Sequence, residues 1–473
     1  MEKVLFYFLA FLIVWAPLPL GSSRPWPAGF LETCIAIIFS LWLLTGDKQN
    51  NRTAVHHVLR KNRWIVALFW MIPAYTLLQL IPLPSNLHSA LGHASRLPMA
   101  SYDWTPMTAD VGATLLQLQK SLALAMLFTF LPGIVNSPSK IESCMEAIVI
   151  SGVIQACYGM LVVLGGAEFD IFHILDHSTH PCCATGTFVS RNNFAGLLII
   201  SMATAIGLII ANILKTRDPY KGWRAVLRRL LQTMMSGKAR LRIFLALMVA
   251  ALILSRSRMG NTAFFASLGI SAVIGLYIFR KNRQRSSLFF LFASMIALDF
   301  LILGSYIGLE QLAERLEATN LEREERPYVY EAAMVLIRDA MPFGTGGGTF
   351  NSVFDAYKSN RIFLNYSDAH NDYLQTGIEY GLPGLILFGM ITFLTLRAAV
   401  IAQYHRHTAE LRGAGFAGMM GIIAYLIYSF TDLNLQVFAN AFLLTILCAL
   451  TCIAYGMEHQ QHTRSSGKKN EDH

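Results

Sequence analysis

Apolar runs long enough to cross a membrane recur along the whole chain, and they constrain its fold more than any other feature. A helix of about 20 residues crosses the roughly 30 Å hydrocarbon core of a bilayer. Runs of this length without strand-like alternation favour helices over a barrel, because backbone groups in lipid must be satisfied internally. The sequence is 54% hydrophobic and only 14% charged. It therefore predicts an all-α polytopic membrane protein with about twelve transmembrane helices.

The distribution of basic residues predicts how the helices are oriented. The formal charge is +9, and most lysines and arginines fall in short loops between the apolar runs, as they do in cytoplasmic loops. The most basic of these loops is Lys215–Arg242. Placing it in the cytoplasm makes loop charge alternate consistently and puts both termini inside. The positive charge therefore indicates contact with membrane lipids and not with nucleic acid.

The order of apolar runs and loops divides the chain into five parts. One large loop on the predicted outer side is expected to contain short helices, among them one over Tyr328–Met341 that ends at Pro342. The predicted parts are N-terminal transmembrane helices in 1–166, central transmembrane helices with outward-facing arginine motifs in 167–308, the large loop in 309–376, C-terminal transmembrane helices in 377–457, and a cytoplasmic tail in 458–473.

Arginines on the predicted outer side go against the usual bias of basic residues toward the cytoplasm. Arg256 and Arg258 lie in a four-residue turn between two apolar runs, and Arg191, followed by Asn192, precedes another run. An arginine binds phosphate oxygens in bidentate geometry, so these positions are candidates for binding an anionic ligand. The alternative interpretation is that they extend to lipid phosphates or anchor helices at the interface.

A polar segment closes the large loop directly before an apolar run. It contains His370, followed by Asn371 and Asp372 and preceded by Asp368. Histidine has an ordinary pKa close to neutral pH, so His370 is a candidate general base, with Asp368 or Asp372 as the carboxylate that orients it. A single histidine is more often structural, and this interpretation depends on the arginines lying on the same side.

The glycine-rich segment Gly344–Phe350 precedes this histidine in the same loop. It lacks the Lys-Ser/Thr pair of a phosphate-binding P-loop, which argues against a nucleotide site. We expect a tight turn that directs backbone amides at the site.

These motifs together resemble the O-antigen ligase and O-antigen polymerase superfamily. The matching patterns are Gly-Thr-Phe-x-x-Arg-Asn-x-Phe-Ala, Ser-Arg-x-Gly, Pro-x-Gly-x-Gly-x-Gly-Thr-Phe and His-Asn-Asp-Tyr-Leu-Gln, in that order between Gly186 and Gly384. The ligase-type pattern His-[Asn/Ser/Gln]-x9-Gly-x-x-[Gly/Thr/Tyr] is also met, by His370, Asn371, Gly381 and Gly384. The first 180 residues match as hydrophobic spans alone.

The resemblance implies an inner-membrane glycosyltransferase that uses a glycan carried on undecaprenyl diphosphate. It implies an inverting transfer that needs neither a metal nor another cofactor. Arg191 and Arg258 would then hold the diphosphate, with Arg256 as a second candidate because the doubled Ser-Arg leaves the register open, and Arg326 as a further one. His370 would orient or deprotonate the acceptor hydroxyl. The further substrate-binding candidates from the same motifs are Asn192, Asn371 and Asp372.

The sequence leaves the acceptor open. A ligase would transfer the glycan to lipid A core, whereas a polymerase would transfer it to a second lipid-linked repeat unit, and the spacing from His370 to Gly384 tilts the prediction toward a ligase. A third possibility is a transporter or flippase of an anionic lipid-linked substrate, in which His370 relays protons. The absence of internal repeats and broken-helix pairs in the sequence argues against transport.

One loop on the predicted outer side contains histidines, cysteines and aspartates that suggest a metal site. Their spacing is irregular, so we predict no metal site. A disulfide between the two adjacent cysteines is the alternative use of those residues. The residues concerned are Asp170, His173, Asp176, His177, His180, Cys182 and Cys183.

Overall fold

The computed structural model is almost entirely helical in the parts of the chain that it describes. Those parts are residues 2–44, 49–84, 86, 104–166, 183–215, 239–282, 284–306, 326–364 and 366–457. The α-helices, numbered along the chain, are α1 Glu2–Trp15, α2 Pro25–Leu44, α3 Gln49–Lys61, α4 Arg63–Leu80, α5 Val111–Ile134, α6 Pro138–Gly165, α7 Arg191–Lys215, α8 Ala239–Leu254, α9 Arg258–Ile278, α10 Arg285–Tyr306, α11 Arg326–Ala340, α12 Phe350–Phe354, α13 Asp372–His405, α14 Ala409–Tyr428 and α15 Phe438–Gly456. The predicted all-α class is confirmed for these parts.

Strands in the described parts are limited to one short antiparallel pair. It joins Pro82–Pro84 to Trp104–Pro106, with Leu83 opposite Thr105. The pair closes the connection between α4 and α5.

Nine of the described helices are long and apolar enough to cross a membrane: α2, α4, α5, α6, α7, α9, α13, α14 and α15. Two further apolar helices are shorter, with 14 residues in α1 and 16 in α8. The helix α1 ends at Trp15, just before Pro17, because a proline within a helix removes a backbone hydrogen bond. The figure of about twelve spans therefore stays a prediction, and nine are supported.

The centre of the bundle is the pair α7 and α14, which approach each other through small residues. A Cβ atom on Gly207 would lie 2.5 Å from the carbonyl oxygen of Gly413 and 2.8 Å from the Cβ of Ala417. Small residues permit this close backbone approach, which is a common way for helices to pack within a membrane. Most of α7 is buried as a result.

A second, smaller apolar core lies beside the main bundle and positions the segment that ends at His370. It is formed between α11, α12 and the start of α13, and Val329, Leu336, Phe350 and Ile378 are among its buried side chains. The predicted helix over Tyr328–Met341 is confirmed as α11. The first part of the large predicted loop, residues 309–325, lies outside the described residues.

An N-cap connects this small core to the main bundle. The Asp110 carboxylate accepts hydrogen bonds from the Ala113 backbone amide at 3.0 Å, at the start of α5, and from the Ser352 hydroxyl at 2.7 Å, on α12. These two bonds stabilise the ionised carboxylate and lower the pKa of Asp110. The cap therefore holds α12 against the first turn of α5.

The glycine-rich segment Gly344–Phe350 forms the expected tight turn, and three of its glycines have positive φ angles of 80°, 108° and 76°. Its amides have a different use from the one predicted. Three of them donate to α4 and α13: to Ile378 O at 2.8 Å, to Glu379 O at 3.0 Å and to Gln79 Oε1 at 3.1 Å. The prediction that these amides face a substrate is therefore wrong, because the turn uses them to bind α4 and α13.

The helix α13 is broken at Gly381, where φ is 60° and ψ is −152°. A Cβ atom at this position would lie 2.1 Å from the carbonyl oxygen of Pro342, and that carbonyl accepts a hydrogen bond from the Leu382 amide at 2.9 Å. The glycine of the ligase-type pattern is thus required for the docking of the glycine-rich turn.

We expect Gly381→Ala to destabilise the protein, because alanine would carry about 1–3 kcal/mol of backbone strain as well as the clash with Pro342. The measurement is the melting temperature of the purified protein in detergent. Gly389→Ala in the same helix is the matched control, since a Cβ atom there meets nothing within 4 Å. Equal melting temperatures for the two variants would contradict this interpretation of Gly381.

Candidate active site

Two of the predicted arginines are the first residues of long helices. Arg191 begins α7 and Arg258 begins α9, and the turn predicted between the apolar runs is confirmed: Ser257 caps α9 by accepting a hydrogen bond from the Gly260 amide at 3.2 Å. The side chains of Arg191, Arg256 and Arg258 are all exposed. The amino end of a helix carries partial positive charge, so both helix termini add to the charge of the guanidinium groups.

The hydroxyl of Tyr428, at the end of α14, joins the two arginine elements. It donates to the carbonyl oxygen of Asn192 at 3.0 Å and lies 2.8 Å from Ser257 Oγ, and the residue is fully buried. Since the single hydroxyl proton of Tyr428 is given to Asn192, Ser257 acts as the donor in the second bond. The Tyr428 side chain therefore holds both Asn192, which follows Arg191, and Ser257, which precedes Arg258.

The histidine element is attached to the next residue of the same segment. Ser429 donates from Oγ to Asp372 Oδ2 at 2.8 Å, and its carbonyl oxygen accepts the Asp372 amide at 2.9 Å. The two arginine motifs and the histidine motif are thus connected through residues 428–429. We call the end of the bundle where Arg191, Arg258 and His370 lie the histidine end.

His370 has a constrained backbone and an accessible ring. Its φ angle is 47°, its carbonyl oxygen accepts a hydrogen bond from the Tyr330 hydroxyl at 3.2 Å, and the Ala369 amide donates to Gln375 Oε1 at 2.9 Å. Its ring meets the Tyr366 ring edge-on, with centroids 5.9 Å apart. The side chain is 38% exposed. The surrounding bonds therefore hold the imidazole at the surface, where it can reach a substrate.

The carboxylate that faces the imidazole belongs to Asp432. Its Oδ1 lies 3.9 Å from His370 Nδ1, and only 6% of the Asp432 side chain is exposed. The sequence analysis named Asp368 or Asp372 for this role. Asp372 Oδ2 instead accepts from Ser429, and Asp368 Oδ2 accepts from the Ser367 hydroxyl at 2.8 Å. The described structure therefore assigns the orienting position to Asp432.

Asn371 and Asp372 hold the start of α13 in place. Asn371 Oδ1 accepts from the amides of Tyr373 at 2.9 Å and Leu374 at 3.0 Å, which is an N-cap, and its Nδ2 donates to the Phe430 carbonyl oxygen at 2.8 Å. Asp372 is 2% exposed. Both residues therefore support the loop beside His370.

The structure describes fewer contacts for the remaining predicted site residues. Asn192 contributes its carbonyl oxygen to the bond with Tyr428, and Arg191 Nη1 lies 3.4 Å from Cys183 Sγ. Arg326 is the first residue of α11, but its side chain lies outside the described residues. Most of the loop considered for metal binding or a disulfide, residues 167–182, is also not described. Within the described parts, no group of three His, Cys, Asp or Glu residues could hold a metal ion.

Sequence analysis missed Asp432 and Tyr428, and it also missed Lys120. Two of them had a signal: Asp432 is an acidic residue between two apolar runs, and Lys120 is a lysine within an apolar run, where ionisable residues are costly. Tyr428 carried no such signal, because an aromatic residue at the end of an apolar run is common at membrane interfaces. Its role depends on which helices surround it.

The fold and the site define a multi-pass membrane protein with exposed arginines and a histidine at one end of the bundle. Residues 243–389 match the sequence profile of the O-antigen ligase family, which confirms the predicted resemblance to the O-antigen ligase superfamily. The matched segment includes Arg256, Arg258, Arg326 and His370 and leaves Arg191 and Asp432 outside.

A protein of Haemophilus influenzae, described as uncharacterized, is 26% identical to this chain over 203 residues. The aligned region covers 39% of this chain and 49% of that relative. The chain thus spans about half the length of the curated relative it matches.

Proposed function

We propose that this protein transfers a glycan from undecaprenyl diphosphate to a sugar hydroxyl at the periplasmic face of the bacterial inner membrane. The observation that carries the proposal is the connection through Tyr428 and Ser429, which brings three separate sequence motifs to the histidine end. In this proposal the histidine end is periplasmic and both termini are cytoplasmic.

The arginines supply the charge that the reaction needs. When the bond between the sugar C1 and the phosphate oxygen breaks, negative charge develops on the diphosphate, and Arg191 and Arg258 stabilise it, with Arg256 and Arg326 as further candidates. Removing one such contact commonly costs about 2.7–4 kcal/mol of transition-state stabilisation. The helix termini at Arg191 and Arg258 add to this effect. The transfer proceeds without a metal, with inversion at C1, as the resemblance implies.

His370 acts as the base for the acceptor. As the acceptor oxygen attacks C1, its proton passes to the imidazole, and the buried carboxylate of Asp432 stabilises the imidazolium that forms. At 3.9 Å from Nδ1, this carboxylate favours the charged form of the ring through electrostatic attraction. Asn371 contributes by holding the start of α13 and the Phe430 carbonyl in position, and Asn192 by its bond to Tyr428.

We propose lipid A core as the acceptor, since the spacing from His370 to Gly384 follows the ligase-type pattern. The test uses purified protein in detergent with lipid-linked repeat units, with and without lipid A core, and with EDTA throughout. Product that forms only with lipid A core supports a ligase. A ladder of longer lipid-linked chains identifies a polymerase instead, and the absence of glycan transfer by folded protein would overturn the enzyme proposal in favour of transport.

We expect Tyr428→Phe to lower both stability and transfer. The Asn192 carbonyl and the Ser257 hydroxyl would lose their partner inside the protein, at a cost of about 1–3 kcal/mol, and the two arginine elements would no longer be joined. Tyr425→Phe is the matched control, because the Tyr425 hydroxyl donates to the Gly196 carbonyl at 3.2 Å one turn away. Melting temperature should fall in both variants, whereas the transfer rate of the folded protein should fall more in Tyr428→Phe. Equal transfer rates would contradict this role for Tyr428.

A further inference from the structure

The helix α5 contains one charged residue, Lys120, about 13 Å from the start of the helix at 1.5 Å per residue. Its Nζ atom donates hydrogen bonds to the carbonyl oxygens of Leu435 at 3.2 Å and Gln436 at 2.6 Å. A charged side chain within a membrane-spanning helix is costly and commonly has a function. Both bonds are made to residues of the connection between α14 and α15, so Lys120 holds that connection.

The surroundings of Lys120 make these two bonds difficult to replace. It lines a cavity of about 210 Å³ together with Leu435 and Gln436, and most other walls of the cavity are apolar, such as Leu124 and Phe388. Backbone carbonyls in such surroundings need a partner from the protein.

The connection between α14 and α15, residues 429–437, is therefore held on both sides of Asp432. Before Asp432, Ser429 bonds to Asp372 and the Phe430 carbonyl accepts from Asn371. After Asp432, Lys120 donates to the carbonyl oxygens of Leu435 and Gln436, and the connection is also bonded by Asn440, which donates to Asn434 Oδ1 at 3.2 Å, and by the Asp372 carboxylate, which accepts from the backbone amides of Asn434 and Leu435. Three residues of chain span at most about 10 Å, so the attachment at Leu435 limits where Asp432 can lie.

We propose that Lys120 is a positioning residue for the transfer reaction, which holds Asp432 against His370 by fixing the carbonyls of Leu435 and Gln436. This inference rests on the proposed function for its kinetic consequences. The substrate is held elsewhere, by the arginines, so Lys120 acts on the chemical step and not on binding of the lipid-linked donor.

The kinetic test compares Lys120→Met with Lys120→Arg. Methionine keeps a similar length but cannot donate, and we expect kcat to fall by about 10- to 100-fold, as displacement of a catalytic group typically causes, while KM for the lipid-linked donor stays unchanged. Arginine keeps the charge and the donors and should restore most of kcat. Lys140→Met is the matched control, because Lys140 donates to the Ile134 carbonyl at 3.0 Å at the opposite end of α5. A kcat equal to that of the control variant would overturn the proposal.

A double-mutant cycle separates positioning from general stabilisation. If Lys120 acts through Asp432, then Lys120→Met added to Asp432→Asn should cause no further loss of kcat, since residues that act as a unit are not additive. Multiplicative losses from the two changes would show that Lys120 acts independently, and would overturn the proposal.

A spin label on Thr431→Cys reads the position of the connection without reference to activity. We expect Lys120→Met to increase the mobile fraction in the electron paramagnetic resonance spectrum and Lys120→Arg to leave it as in the parent protein. An unchanged spectrum in Lys120→Met would refute the attachment itself. Because this readout needs no substrate, it stays informative even if the protein transfers no glycan, so failure of the proposed function and failure of the inference can be told apart.

Discussion

Replacing His370 with alanine is expected to lower the rate of glycan transfer by about 10²- to 10⁴-fold, the usual contribution of a positioned acid or base. The imidazole is accessible, with 38% of the side chain exposed, and a buried carboxylate lies 3.9 Å from Nδ1. Without it the acceptor hydroxyl must lose its proton to water. The measurement is the initial rate of product formation with lipid-linked donor and acceptor, at equal amounts of folded protein.

The matched control for this prediction is His405→Ala, which removes the histidine at the far end of α13, the helix that begins two residues after His370. Its rate should equal that of the parent protein. Asp432→Asn should also slow transfer, because an amide cannot stabilise the imidazolium as a carboxylate does. Near-parental transfer by the His370→Ala variant would remove His370 from the mechanism, and a large loss in His405→Ala would attribute the effect to the helix itself.

Arg191→Ala is expected to reduce kcat by about 10²- to 10³-fold, which corresponds to the 2.7–4 kcal/mol lost with one contact to developing charge. Arg191 is exposed at the amino end of α7, and its neighbour Asn192 is bonded to Tyr428. Arg191→Lys should recover part of the rate, because lysine keeps the charge but lacks the planar fork that binds two phosphate oxygens.

Arg280→Ala serves as the control for charge, since Arg280 lies just beyond the far end of α9, with its guanidinium 4.4 Å from the centre of the Tyr277 ring. The Arg280→Ala variant should transfer glycan at the same rate as the parent protein. Comparing Arg256→Ala with Arg258→Ala in the same assay resolves which arginine of the turn contacts the diphosphate. If Arg191→Ala and Arg280→Ala have equal rates, Arg191 does not hold the diphosphate.

Some features of the fold follow from local sequence. The apolar runs specify helices of membrane length because backbone groups in lipid must bond within their own segment, and nine described helices are of this kind. The turn at Ser255–Arg258 was predicted from its place between two apolar runs, and the end of the helix α11 was predicted from Pro342. The glycine-rich turn was predicted as a turn, but its partners on α4 and α13 were not, since they lie far away in the chain.

Some residues of the candidate site could likewise be predicted from the sequence, and others could not. Arg191, Arg256, Arg258 and His370 were found from the sequence, because charged and titratable residues at the ends of apolar runs are unusual enough to stand out. Which carboxylate serves the histidine was not found. Asp372 is two residues from His370 in the chain, yet its side chain bonds to Ser429, whereas Asp432, some sixty residues later, faces the imidazole.

The sequence by itself determined the class of protein, its helical fold and most residue types of the candidate site, since these depend on composition and on spacing within single segments. Tertiary structure decided which of those residues work together. Tyr428, Asp432 and Lys120 acquire their roles when α5, α7, α9, α13 and α14 pack around the connection at residues 429–437. That arrangement depends on contacts between residues far apart in the chain, which no local pattern encodes.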